Sequence, residues 1–186
     1  MDRKKQYLIY FLMFLSLLAF KFMAVSHTIE DFAIKLHCEI IANSSNVDFI
    51  VIMFNIIICI CITVRSAEII ASSKENIIAI LKNFVDNSYQ LVFIQMKMCL
   101  SVMIEDFIAY LVCLILTSYI YGDAITFSGI LIVLGILIVF MIVYMLINTF
   151  MILFINESHN IVFVYFMSLL TVNVLISIIW RIYAKN

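Results

Sequence analysis

The stretch VRSAEIIASSKENIIAILKNF, from Val64 to Phe84, is a polar island between long apolar runs, and its reading decides the fold. Positive residues favour the cytoplasmic side of a membrane. Arg65, Lys74 and Lys82 follow one apolar run directly, and Arg3, Lys4 and Lys5 precede another. Both segments are therefore expected inside the cell, the N-terminus with them. Within the island, Ser72-Ser73-Lys74-Glu75 fits a capping box, in which serine and glutamate satisfy the free amides of a helix start. Ile77, Ile78, Leu81, Phe84 and Val85 then share one face at helical spacing. The island reads as a cytoplasmic link over residues 65–90 leading into an amphipathic helix, which lies on the membrane surface or packs on its neighbours.

Composition requires a membrane around that link. Hydrophobic residues make up 66% of the 186, charged residues 12%, and the mean hydropathy is +1.20. A soluble domain carries roughly twice that charged fraction. A chain this short cannot hide so much apolar surface from water. The net charge of −1 gives no reason to expect nucleic acid as a partner, and the lipid bilayer is the first partner expected. There is no proline and only Gly122, Gly129 and Gly135, so long unbroken helices are expected in place of the broken helices of transporters. The five cysteines form no CxxC pair and read as small hydrophobes.

A helix crosses the bilayer in about 20 residues. Spans are expected at about 7–25, 47–64, 98–121, 124–146 and 161–180, giving an all-α multi-pass bundle in one membrane domain, placed in the plasma membrane. The first segment also fits a cleaved signal peptide, with a basic start, an apolar core, and small residues at Ala24 and Ser26. Ser26–Asn46 is expected outside, with Asn43-Ser44-Ser45 as a glycosylation acceptor, surface histidines, and Cys38 open to an impermeant thiol reagent. The third and fourth helices, Tyr89–Tyr121 and Ala124–Ile155, are joined only by Gly122-Asp123. Each is about 45 Å long, beyond the roughly 30 Å hydrocarbon layer, so both must overrun on the cytoplasmic side. The overhang Met145–Ile155 is apolar and needs a cover. Phe150, Leu153 and Phe154 are the expected contacts of a homo- or hetero-oligomer. Five spans put the C-terminus outside, whereas Arg181 and Lys185 favour the inside.

Candidate functional residues are few. Glu105 and Asp106 are either ion-path carboxylates or an interfacial pair bonded to Lys97. Thr117, Ser118, Asn148, Thr149 and Asn173 either line a cavity or hold helices together. No nucleophile–base set, metal spacing or phosphate loop occurs, so no cofactor or enzyme activity is expected.

The layout from Phe49 to Phe150, about half of the chain, resembles the insect gustatory and odorant receptor group in its long Pro-poor helices that overrun the membrane inside the cell. That group has seven spans against the five expected here. Its last span carries Thr-Tyr, five apolar residues and Gln-Phe. Tyr144-Met-Leu-Ile-Asn-Thr-Phe150 keeps the tyrosine and phenylalanine, lacks the preceding Thr and the Gln, and is one residue short. The resemblance implies a ligand-gated cation channel subunit answering to a small molecule, or a relative without activity. The alternative is a small non-enzymatic scaffold or accessory subunit of a larger membrane complex.

Overall fold

The computed structural model describes residues 3–39, 48–72, 88–154 and 161–184, with the backbone alone at 71–72, 88–92, 151–154, 161–166, 169 and 184. Six helices are described: α1 (Arg3–Met23), α2 (Ile29–His37), α3 (Phe49–Ser72), α4 (Ser88–Ile120), α5 (Phe127–Phe154) and α6 (Ile161–Ala184). The protein is an all-α membrane bundle. Four stretches, Arg3–Met23, Phe49–Ile70, Phe93–Ile120 and Phe127–Phe150, are long and apolar enough to cross a bilayer, and α6 is apolar over Leu170–Tyr183. Their outer faces carry Phe11, Ile108, Val112, Leu131, Ile138 and Ile142, all exposed. Water would penalise a surface of that size, whereas lipid accepts it. Of the link expected over 65–90, residues 65–72 instead continue α3 and 88–90 begin α4; residues 73–87, with the rest of the capping box after Ser72, and Asn43 lie outside the described residues.

Helix directions follow from paired side chains. Tyr10 meets Asp106, and Lys21 meets Asp123, so α1 runs parallel to α4. Arg65 lies level with Asp106, and Asn55 nearer the level of Tyr110, so α3 runs antiparallel to α4. Asn148 meets Met103, and Tyr144 packs on Phe107, so α5 is antiparallel as well. One end of the bundle thus holds the basic start of α1, and the other holds the link between α4 and α5. These are called the basic end and the turn end.

That link is six residues, 121–126, longer than the two expected. Its bonds explain why. Gly122, at φ 74, occupies the left-handed position where a Cβ is strained, and two bonds close a Schellman motif: Asp123 N–H to Ser118 C=O at 2.9 Å and Gly122 N–H to Tyr119 C=O at 3.1 Å. Thr126 then caps α5, its Oγ accepting from Gly129 N–H at 2.9 Å. Ala124 is engaged elsewhere, donating to His27 C=O at 2.9 Å and accepting from Ile29 N–H at 3.3 Å.

Those two bonds anchor the main departure from expectation. Ser26–Asn46 is not simply an external segment, because residues 29–37 form a helix inside the bundle. Thr28 caps it, accepting from Asp31 N–H at 3.2 Å, with Glu30 and Asp31 in the first turn and Lys35 and His37 in the last. Each charge suits its end of the helix dipole. Ile29, Phe32, Ala33, Leu36 and His37 are each at most 2% exposed. Their spacing of 3, 4, 7 and 8 residues from Ile29 places them on one stripe, which packs against α3, α4 and α5. His37 is consequently a core residue, against the expectation of surface histidines. Cys38, 5% exposed, is closed to a thiol reagent in this state.

Candidate functional site

Side chains from three helices converge around Asp106. Its position on α4 is 14 residues before Ile120, about 21 Å along the axis from the turn end. Arg65 of α3 bridges the two adjacent acids: Nη1 donates to Asp106 Oδ1 at 2.8 Å, and Nη2 to Glu105 Oε2 at 2.9 Å. The planar guanidinium can span both because its donors form a rigid fork. Tyr10 of α1 completes the cluster. Its hydroxyl donates to Asp106 Oδ1 at 2.9 Å and accepts from Arg65 Nη1 at 3.1 Å and Gln6 Nε2 at 2.8 Å. Gln6 and Tyr10 are one helical turn apart, so both reach the same point.

The structure separates the two acids of this pair. The Asp106 side chain is 1% exposed and Arg65 13%, while Glu105 stays 56% exposed. One carboxylate is thus buried in the bundle and its neighbour faces outward. Their cationic partner is Arg65, and Lys97 takes no part. Eight residues of helix put Lys97 about 12 Å from Glu105 along α4, beyond side-chain reach; it is exposed there.

A second ion pair closes the turn end. Lys21 Nζ lies 2.6 Å from Asp123 Oδ1 and 2.5 Å from Oδ2, and donates to Ser26 C=O at 2.8 Å and to the Ser26 hydroxyl. Both side chains are 3% exposed. Lys21 does not reach out from the end of α1, because Asp123 claims its ammonium. Nearby, Glu30 lies against Gly129, whose missing side chain leaves room for the carboxylate.

Between the two ion pairs runs a chain of uncharged polar groups. His37 Nε2 meets the Tyr110 hydroxyl at 2.6 Å, and its Nδ1 faces Asn55 Nδ2 at 3.3 Å. The Cys59 thiol donates to Asn55 Oδ1 at 3.3 Å and contacts the Tyr144 hydroxyl at 2.8 Å, and Asn173 Nδ2 donates to the same sulfur at 3.4 Å. Five helices, α2 to α6, meet through these six side chains. Burial lowers the His37 imidazole to about 4, because no compensating charge replaces its lost water.

The expected polar cavity residues do not gather at one place. Thr117 and Thr149 spend their hydroxyls on their own helices, bonding Cys113 C=O and Met145 C=O, each at 2.8 Å. Asn148 donates to Met103 Sδ at 2.9 Å, about 21 Å along α4 from Thr117. Asn173 belongs to the central chain, and Ser118 is buried near the turn end. Phe150, one of the expected oligomer contacts, is 51% exposed. The side chains of Leu153 and Phe154 fall outside the described residues.

Arg65, Tyr10, Lys21, Asp123, His37 and Cys59 were not singled out from sequence as site residues. A signal existed for one of them. Arg65 ends a 16-residue apolar run, and the acid pair interrupts another, so opposite charges at matching depth were there to be paired. Among the described residues no cluster of three metal-binding side chains occurs. All three sites tie helices together, and the two ion pairs also hold charge inside the bundle. No protein-family model, curated protein or solved structure matches the chain.

Proposed function

We propose that this chain is a non-enzymatic helical subunit of a larger plasma-membrane assembly, with its N-terminus in the cytoplasm. The observation that carries this reading is the filled interior. Arg65 and Lys21 are each paired with a carboxylate within the chain, and α2 occupies the space between α3, α4 and α5. This filling favours a part in an assembly over conduction by one copy. Helices of 33 and 28 residues, about 50 and 42 Å, overrun a 30 Å hydrocarbon layer. The overrun of α5 carries half-exposed Phe150, where a second copy or a partner protein buries apolar surface at roughly 25 cal/mol per Å². The test is subunit counting in nanodiscs at several protein concentrations. An oligomer that Phe150→Ser and Phe154→Ser together dissociate supports the proposal; a monomer throughout refutes it.

A second reading, a small-molecule-gated cation channel subunit like those of the insect receptor group, draws support from Glu105. Its side chain, 56% exposed on the outside of the bundle beside Arg65, would form an acidic ring where copies meet, and acidic rings select cations. Liposome flux decides it. Glu105→Gln and Asp106→Asn together should abolish cation flux at normal protein levels. Unchanged flux in the double variant, or no flux in the parent protein, removes this reading and leaves the first standing.

A further inference from the structure

The helix that membrane crossing explains least is α2. It is nine residues long, cannot span, and is nonetheless seated in the core along its whole apolar face. Its two ends are held by different chemistry. The start is tied by the backbone bonds between His27, Ile29 and Ala124, beside the Lys21–Asp123 pair. The far end is held by His37.

The Asn55 amide sets the proton inventory of that imidazole. Asn55 Nδ2 donates to Leu36 C=O at 3.0 Å, and Asn55 Oδ1 accepts the Cys59 thiol at 3.3 Å. Turning the amide over would set its oxygen against the Leu36 carbonyl, two acceptors face to face, so its nitrogen must face α2. The Nδ1 of His37 is therefore an acceptor, and the neutral ring carries its proton on Nε2, donated to Tyr110. A second proton could enter only at Nδ1. There it would point a donor at the donor of Asn55, in a site with little room for water.

The surroundings offer no relief. Facing the ring are Tyr110 of α4, Asn55 of α3 and Phe140 of α5, whose ring centroid is 4.8 Å away. Cys59 stands behind Asn55, with Tyr144 behind Cys59. Among the described residues no carboxylate bonds the ring: Glu39 is exposed, and Asp106 is engaged by Arg65 and Tyr10. Lys35 points away to Asp31 and Val25 C=O.

We propose that α2 is an acid-released plug: protonation of His37 drives its far end out of the bundle, pivoting on the clasp at Thr28 and Ala124, and opens the groove between α3, α4 and α5. The direction follows from linkage. The seated imidazole titrates at about 4 and the released one at its ordinary 6.5, so the released state binds more protons between those values. Release grows as pH falls through 6.5 and levels off below 4. From the two values, the released-to-seated ratio at pH 5 is about 30-fold above that at pH 7.5.

Cys38 reports the movement, since it adjoins His37 and is 5% exposed when seated. The experiment uses the full chain in nanodiscs and 2,2′-dithiodipyridine, which reacts with thiols in acid. Modification of Cys38 is followed by peptide mass analysis, with each rate divided by that of a free cysteine peptide at the same pH. The expected result is a rate about 30-fold higher at pH 5 than at pH 7.5, with helicity by circular dichroism unchanged. His37→Gln should make the profile flat. Asn55→Asp, which places an acceptor opposite Nδ1, should suppress the rise even if His37→Gln fails to fold. A flat parent profile, a rise that survives His37→Gln, or a rise that tracks loss of helicity would each overturn the proposal.

Discussion

Asp106→Leu is the substitution that most directly tests how charge is held inside this bundle. It leaves the Arg65 guanidinium, 13% exposed, without its buried carboxylate. Breaking a buried ion pair by removing one partner costs about 3–5 kcal/mol, mainly because the remaining charge stays desolvated. Two features reduce that figure. Glu105 still holds Nη2, and Tyr10 still accepts from Nη1, although Glu105 is more than half exposed and solvent screens its pull. A loss of about 2–3 kcal/mol is expected, which for a chain of this size lowers Tm by roughly 4–12 °C. Glu105→Gln should cost less than about 1 kcal/mol, since its carboxylate is the exposed member. The informative variant is the double change Arg65→Met with Asp106→Leu. It removes both charges and should recover most of the stability, because a well-packed apolar pair can replace a buried ion pair without loss. Thermal unfolding in nanodiscs, followed by circular dichroism, measures all three. If the double variant is less stable than Asp106→Leu alone, or if Glu105→Gln costs as much as Asp106→Leu, the reasoning fails.

Three smaller predictions separate causes that the sequence would lump together. Gly129→Ala should cost about 1–3 kcal/mol, because the new Cβ would collide with the Glu30 carboxylate and lie 3.0 Å from Thr126 Oγ; adding Glu30→Ala should return most of it, and no return would show that the crowding lies elsewhere. Gly122→Ala has open space around its Cβ, so its cost of about 1 kcal/mol comes from the left-handed backbone alone, and Gly122→Asn, better tolerated there, should cost less in the same melting experiment. Asn148→Leu should be neutral or stabilising, since Asn148 Oδ1 is buried with no partner among the described residues and its one bond goes to a weak sulfur acceptor; a drop in Tm of several degrees would show that the amide is needed.

The pattern of apolar runs was sufficient to identify a membrane bundle and to place most helices, because lipid imposes one strong rule: backbone polar groups must be satisfied within a helix. The long α4 and α5 were legible for the same reason, as was the turn at Gly122-Asp123, though its length was not. Thr126 and Ala124 lengthen it through bonds to Gly129 and to α2, and such partners are invisible along the chain. The burial of α2 was equally hidden. Its nine residues carry two acids in the first turn and two basic residues in the last, a composition that reads as exposed, and only the stripe from Ile29 to His37 marks the buried face. Which acid is buried was decided by tertiary structure alone. Glu105 and Asp106 are adjacent, and neighbours on a helix point about 100° apart. The rotation of α4 against α1 and α3 therefore turns Asp106 inward to Tyr10 and Arg65 and leaves Glu105 outside. Local sequence sets where a helix starts and how apolar it is, but its rotation depends on every side chain packed against it. The charges pair only after that rotation is fixed.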